Sequence, residues 1–248
     1  MSDFDYILDI TFCIDISINM EGVIDNVKKH IGELPRFIQD QSILVRGTIP
    51  NMRVKIMTFG NFDEGIPISH SRWFCIKGYD SMHNSRNNKL LVSSMSSLSD
   101  YESIEFKRYV NNIHLIKNNA INGSNGLEVL SQAIKTDWMS NVKRGKRLII
   151  IYTLNKASKL EDSNRSINIY PNENPFTLNE LTDIWLSPSI HTEGLNNASK
   201  CLIVFAPQYY PWPEIYETWD RVLYNPSAYD SLDELLYQDI FDFIFPDV

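Results

Sequence analysis

The 248-residue sequence predicts an α/β fold, an open and mostly parallel central sheet with helices on both faces. Short apolar runs alternate along the chain with stretches of helical periodicity, which is the element order of such sheets. Two of the runs, at 147–154 and 201–207, consist almost wholly of aliphatic and β-branched residues, as do strands that are covered on both faces. The length allows one domain with a substantial core, so a single domain over residues 1–248 is expected.

Four apolar runs are the predicted strands of this sheet. They cover residues 6–15, 53–59, 147–154 and 201–207. The first strand is expected at the centre, flanked by the second and third strands or by their neighbours, because apolar residues line both of its sides. The run "SRWFCI" (71–76) is predicted to add an edge strand, antiparallel to the 53–59 strand.

Helical periodicity fills the segments between the strands. The predicted helices cover residues 20–44, 100–116, 125–139, 177–186 and 231–245, and a further helix begins at Pro213. Pro35 lies inside the first of them and is expected to kink or break it near Leu34. The polar segments 80–100 and 155–176 are predicted to be irregular.

An aromatic cluster follows the last predicted strand. Trp212 and Trp219 are expected to pack into the core. For Tyr209 and Tyr210 packing and a role in a binding surface both stay open, because tyrosine is enriched at protein interfaces.

Composition excludes several classes of partner. The net charge is −8 and the chain has no dense basic tract, which argues against a nucleic-acid partner. No apolar window reaches the length of a transmembrane helix, and the first residues are acidic where a signal peptide is basic. The three cysteines, Cys13, Cys75 and Cys201, show no pairing pattern, so a reducing, cytoplasmic location is expected.

The stretch "ITFCIDISINM" (10–20) carries the candidate functional residues. Asp15, Ser17 and Asn19 alternate with isoleucines, so an extended backbone points all three side chains to one side. Ligand sites of open α/β sheets form at such carboxyl ends of strands, and oxygen ligands suit Mg²⁺. Ser124, between two glycines in "INGSNGLEVL", offers a further hydroxyl, so the candidate metal ligands are Asp15, Ser17, Asn19 and Ser124. The alternative is a strand end followed by a helix cap.

These residues resemble the von Willebrand factor A (VWA) domain family. "DISINM" is similar to the Asp-x-Ser-x-Ser motif of its metal-ion-dependent adhesion site (MIDAS), which is usually followed by Met. "NGLEVLSQAI" resembles the segment after the family's threonine loop, and "LIIIYTLNKASKL" resembles the strand that ends in Thr-Asp. A group of bacterial intracellular VWA proteins shows the greatest similarity, over most of the chain. The resemblance implies a VWA/Rossmann-like three-layer sandwich.

The departures from the motif imply a degenerate MIDAS. Asn19 replaces the second serine, and Leu154 falls where the family has its aspartate. The family's threonine corresponds to Ser124 in one alignment and to Ile121 in another. With one carboxylate fewer, Mg²⁺ is expected to bind weakly if at all, and Leu154→Asp is expected to raise its affinity.

The function implied is that of a non-enzymatic VWA-like module that binds a protein partner, with neither nucleic acid nor membrane involved. Recognition is expected in the loops 16–22, 121–126 and 154–176, and Asp15→Ala is expected to weaken partner binding with little harm to folding. The alternative is a hydrolase or phosphotransfer enzyme that uses Asp15. Ser17 argues against it, because dehalogenase-type phosphatases need a second acid at that position.

Overall fold

A computed structural model describes residues 6–46, 51–76, 101–117, 123–139, 144–162, 168, 170–187, 195, 199–227 and 237–246. In this part of the chain seven strands form one sheet. They are β1 Tyr6–Asp15, β2 Asn51–Phe59, β3 Ser69–His70, β4 Phe74–Ile76, β5 Arg144–Tyr152, β6 Lys200–Ala206 and β7 Val222–Pro226.

The sheet is mostly parallel, with the strand order β3-β2-β1-β5-β6-β7 and with β4 also paired to β2. Strand β1 is parallel to both of its neighbours, β2 and β5, and therefore lies inside the sheet as predicted. The 71–76 run contributes β4, antiparallel to β2, which confirms the predicted edge strand. Strand β7 was not predicted, because "VLYNP" is short, ends in proline and is only half-buried.

Six helices are described alongside this sheet. They are α1 Ile24–Arg46, α2 at 101–111, α3 Gly126–Ile134, α4 Leu178–Leu186, α5 Trp212–Thr218 and α6 Tyr237–Ile244. The expected break near Leu34 is wrong, because α1 continues past Pro35. Leu34 and Ile38 are fully buried against the sheet on either side of the proline, and this packing outweighs the hydrogen bond that proline removes. In the described residues no helix is both long and apolar enough to cross a membrane.

Two hydrophobic clusters show how the helices cover the sheet. Helices α1, α2 and α6 pack on one face, where β1 contributes its even-numbered residues from Leu8 to Ile14. Helices α3, α4 and α5 pack on the other face, together with Cys13 of β1. The predicted fold class is thereby confirmed as a VWA-like or Rossmann-like three-layer sandwich. Trp212 and Trp219 are buried in the second cluster, also as predicted.

Some expectations fall outside the described residues. The polar segment 80–100 lies wholly there, and so do parts of 155–176 and of the helix expected at 231–245.

Candidate functional site

Three strands of the sheet end side by side around Asp15. It is the last residue of β1 and pairs with Phe59, the last residue of β2. On the other side β5 ends at Tyr152, so Thr153 stands next to Asp15. Asp15 lies two residues after Cys13 on β1, so its side chain points to the same face of the sheet, the face that α3 covers.

The Asp15 carboxylate is completely buried and hydrogen-bonded by three neutral donors. One oxygen, Oδ1, accepts from the backbone N–H of Ser17 at 2.9 Å. The other, Oδ2, accepts from the Thr153 hydroxyl at 2.7 Å and from the Asn155 side-chain amide at 2.8 Å. The expectation that Asp15→Ala does little harm to folding is therefore revised, because the substitution leaves three buried donors without an acceptor.

Asn155 is the centre of this group. Its Nδ2 donates to Asp15 and also to the Ser17 hydroxyl at 2.8 Å, and its Oδ1 accepts from Asn19 Nδ2 at 2.5 Å. Its backbone is held as well, since its N–H donates to the Thr153 hydroxyl and its carbonyl accepts from the Trp212 indole. We call the set formed by Asp15, Ser17, Asn19, Thr153 and Asn155 the carboxyl-end cluster.

Leu154 does not take the position that the sequence comparison gave it. Its side chain is 4% exposed and packs in the cluster on the α1 side of the sheet. The chain bends at Leu154 and Asn155 just after β5, so that Thr153 and Asn155 both hydrogen-bond Asp15 while Leu154 packs on the other side of the sheet. Leu154→Asp would bury a charge on the α1 side rather than add a ligand beside Asp15.

Ser124, the fourth predicted ligand, lies in a neighbouring loop. Its backbone pairs with the 156–158 segment through Ser124 N–H to Lys156 O and Ser158 N–H to Ser124 O. Gly123 permits this approach, because it has φ +96° and an added Cβ would lie 2.9 Å from the Lys156 carbonyl oxygen. The Ser124 hydroxyl is buried and has no hydrogen-bond partner among the described residues. Hydrogen bonds therefore join Asp15, Ser17 and Asn19, but not Ser124.

Glu64 is a second acid at this edge of the sheet that sequence reasoning missed. It ends a short 3₁₀ helix, Phe62–Glu64, which follows β2. Burial raises the pKa of Glu64, and repulsion from Asp15 and Asp63 raises it further. Its position just beyond a strand next to β1 is the signal that would have identified it. Among the described residues no group of three or more His, Cys, Asp or Glu side chains is arranged to hold a metal ion.

A cleft of about 540 Å³ opens beside the carboxyl-end cluster. Its lining comes from several loops and includes Asn61, Asn125, Lys156, Tyr170, Tyr209 and Tyr210. Tyr209 and Tyr210 are 54% and 37% exposed. Asp15 lines neither this cleft nor a second one, of about 720 Å³, beside α2.

No family model and no curated protein matches this chain. Among solved structures it is similar to proximal thread matrix protein 1 from the mussel byssus, at a TM-score of 0.49 and 11% identity over 96% of this chain and 48% of that one. A second structure of that protein, with a zinc-occupied MIDAS motif, matches at a TM-score of 0.45 and 10% identity, over 96% of this chain and 45% of that one. The chain thus spans about half the length of these structures. Similarity at this level does not support an inference about function. The fold class is assigned from the sheet and its two helical layers.

Proposed function

We propose that this chain is a non-enzymatic VWA-like module of the cytoplasm, a single domain that binds a protein partner through the loops at the carboxyl ends of its strands. The observation that carries the proposal is the cleft beside the carboxyl-end cluster, with Tyr209 and Tyr210 exposed at its side. Open α/β sheets bind ligands at this edge, where loops from several strands meet.

The chemistry of the cleft suits a protein surface. Tyrosine gives a large contact area at a low cost in conformational entropy and is enriched in the buried centres of interfaces. Lys156, Lys159, Asp63 and Asp162 add charges of both signs around the two tyrosines, as in the polar rim of an interface. The net charge of −8 favours a protein over a nucleic acid as the partner.

The competing enzymatic function would need Asp15 to meet a substrate. Asp15 is fully buried and both of its oxygens accept hydrogen bonds, so its carboxylate presents no free face to a phosphoryl or acyl group. Dehalogenase-type phosphatases also need a second acid two residues after the nucleophile, and that residue is Ser17 here. These features favour binding over catalysis by Asp15.

The cytoplasmic part of the proposal is supported by the cysteines. Cys13 and Cys201 are buried free thiols, and Cys75 is an exposed one. Thiols without disulfides are usual in reducing compartments.

Affinity capture from a lysate of the source organism, followed by mass spectrometry, tests the proposal. The wild-type bait is compared with a Tyr209→Ala, Tyr210→Ala double variant and with Tyr101→Ala. Tyr101 is the matched control, because it is 56% exposed but lies on α2, away from the cleft.

We expect a protein that wild type and Tyr101→Ala capture and the double variant loses. The recombinant partner should then bind wild type in isothermal titration at least tenfold more tightly than it binds the double variant. A partner that the double variant retains in full would contradict binding at this cleft.

A further inference from the structure

The carboxyl-end cluster does not fit the cation that the VWA resemblance implies. In that arrangement Asp15, Ser17 and Asn19 would turn their oxygens towards a shared metal ion. Here the Asn155 amide group lies between them, with Nδ2 at 2.8 Å from both Asp15 Oδ2 and Ser17 Oγ. Asn19 points its amide nitrogen, which cannot ligate a cation, at Asn155 Oδ1.

Hydrogen-bond chemistry fixes the orientation of this amide. An ionised carboxylate only accepts, so the Asn155 atom beside Asp15 Oδ2 must be the nitrogen that donates. The two hydrogens on that nitrogen are then donated to Asp15 and Ser17, and Oδ1 accepts a hydrogen bond from Asn19. Turning the amide over would set its oxygen against the carboxylate and its nitrogen against that of Asn19, and both of those bonds would be lost.

The surroundings hold Asn155 in this position. Its backbone N–H donates to the Thr153 hydroxyl at 3.0 Å, and its carbonyl accepts from Trp212 Nε1 at 3.2 Å. Trp212 in turn packs on Gly126, where an added Cβ would lie 2.8 Å from the indole ring. A cation that entered the cluster would have to displace the Asn155 side chain, although the backbone N–H and carbonyl of this residue are both held by hydrogen bonds.

We propose that the Asn155 side-chain amide permanently occupies the cation position, so that Asp15 is compensated by an internal hydrogen-bond donor and the site works without a metal. Asn155 is a positioning residue in this arrangement: it links the end of β5 to the loop after β1 and so fixes the loops at the edge of the cleft. This inference rests on the cluster alone and holds whatever the cleft binds.

The first test is a comparison of the wild-type protein in EDTA, in millimolar MgCl₂ and in millimolar MnCl₂. We expect the same melting temperature in all three and a free Mn²⁺ signal in electron paramagnetic resonance that equimolar protein does not reduce. Stoichiometric loss of that signal in wild type, abolished by Asp15→Asn, would overturn the proposal.

The second test replaces the amide by a carboxylate. Asn155→Asp sets two carboxylates side by side, so the variant should melt at a lower temperature in EDTA and regain stability with MnCl₂. Asn225→Asp is the matched control, since it adds a carboxylate to a buried residue of β7 and should show no response to metal.

If Asn155→Asp folds and shows no response to Mn²⁺, position 155 does not face the cation position and the proposal fails. If it does not fold even with MnCl₂, the Mn²⁺ titration of wild type decides alone.

Discussion

Two buried aspartates of β1, Asp9 in its first half and Asp15 at its carboxyl end, have their carboxylates stabilised in different ways. Asp9 and Asp15 are six residues apart on one strand, share one face and are both completely buried. Asp9 meets a cation, Arg53, through Nε at 2.8 Å and Nη2 at 2.5 Å, and also accepts from the Met139 N–H at 2.9 Å. Among the described residues, the hydrogen-bond donors to Asp15 are all neutral.

The amino end of the sheet carries a second ion pair close to that of Asp9 and Arg53. Lys55, two residues after Arg53 on β2, contacts Asp137 at 2.8 Å. Burial lowers the pKa of Arg53, but its hydrogen bond and attraction to Asp9 outweigh this and raise it overall. Trp73 covers the two cations, with its ring centre 4.5 Å from the Arg53 guanidinium carbon.

At the carboxyl end, the part of the chain that the structure describes places a hydroxyl, an amide and a backbone N–H around Asp15 and no ion-pair partner. A cation stabilises a buried carboxylate by the attraction of opposite charges. Neutral donors stabilise it only while each hydrogen bond keeps its geometry. The loops at the carboxyl end are therefore positioned by hydrogen-bond geometry, and those at the amino end by charge.

The largest effect is expected at the amino end, for Asp9→Ala. The substitution leaves the half-buried Arg53 guanidinium and the Met139 N–H without their acceptor, so the cost should lie at the lower end of the range of about 3–5 kcal/mol for breaking a buried ion pair. Urea unfolding at neutral pH measures the loss of free energy. Arg36→Ala is the control, because Arg36 pairs with Asp40 at the surface and should cost under about 1 kcal/mol.

Lowering the pH should destabilise the carboxyl end of the sheet, because it protonates His30. This residue of α1 hydrogen-bonds Tyr152, the last residue of β5, and stacks on Tyr237 at 4.8 Å. Burial lowers the pKa of His30 to about 4, below its value of about 6.5 in the unfolded chain. The folded state thus binds fewer protons, so the stability that neutral His30 provides is complete above pH about 6.5 and is lost as the pH falls towards 4.

The stability lost over this range is at most about 3 kcal/mol. Urea midpoints between pH 7 and pH 4 should fall less steeply for His30→Gln than for wild type, while the exposed-site variant His114→Gln should follow wild type. Equal slopes for wild type and His30→Gln would show that the carboxyl end does not depend on neutral His30.

A smaller loss is expected for Asp15→Ala, about 1–3 kcal/mol, because it leaves hydrogen-bond donors rather than a cation without a partner. The comparison of the two ends fails if this loss equals that of Asp9→Ala under the same conditions. Binding of the recombinant partner to Asp15→Ala should weaken as well, since the loops at the cleft lose their common anchor.

The smallest effect is expected from salt. Asp137 is mostly exposed, so its pair with Lys55 contributes under about 1 kcal/mol and is screened by ions. The cost of Asp137→Asn should therefore shrink as NaCl is raised, whereas the cost of Asp15→Asn should change less, because its hydrogen-bond partners are buried and neutral. A salt-dependent cost at Asp15 would indicate a charged partner there.

The sequence was sufficient to predict the central strand, its two neighbours and the position of Asp15, because those follow from apolar runs and alternation. Asn155 was missed because it lies beyond the end of β5, and its hydrogen bond to Asp15 depends on a bend of the chain at residues 154 and 155 that strand periodicity does not predict. The Asp9–Arg53 pair was out of reach, since it depends on the register between β1 and β2, which neither segment encodes alone.

The central claim is that the Asn155 amide, and not a cation, compensates Asp15. Nuclear magnetic resonance of the ¹⁵N-labelled wild-type protein observes that side-chain NH₂ group directly, with the signal assigned by its loss in Asn155→Ala. We predict two separate, slowly exchanging protons whose signals keep their positions with MgCl₂ and their widths with paramagnetic MnCl₂. Fast exchange with water, or selective broadening of the Asn155 and Asn19 amides by Mn²⁺, would contradict the account.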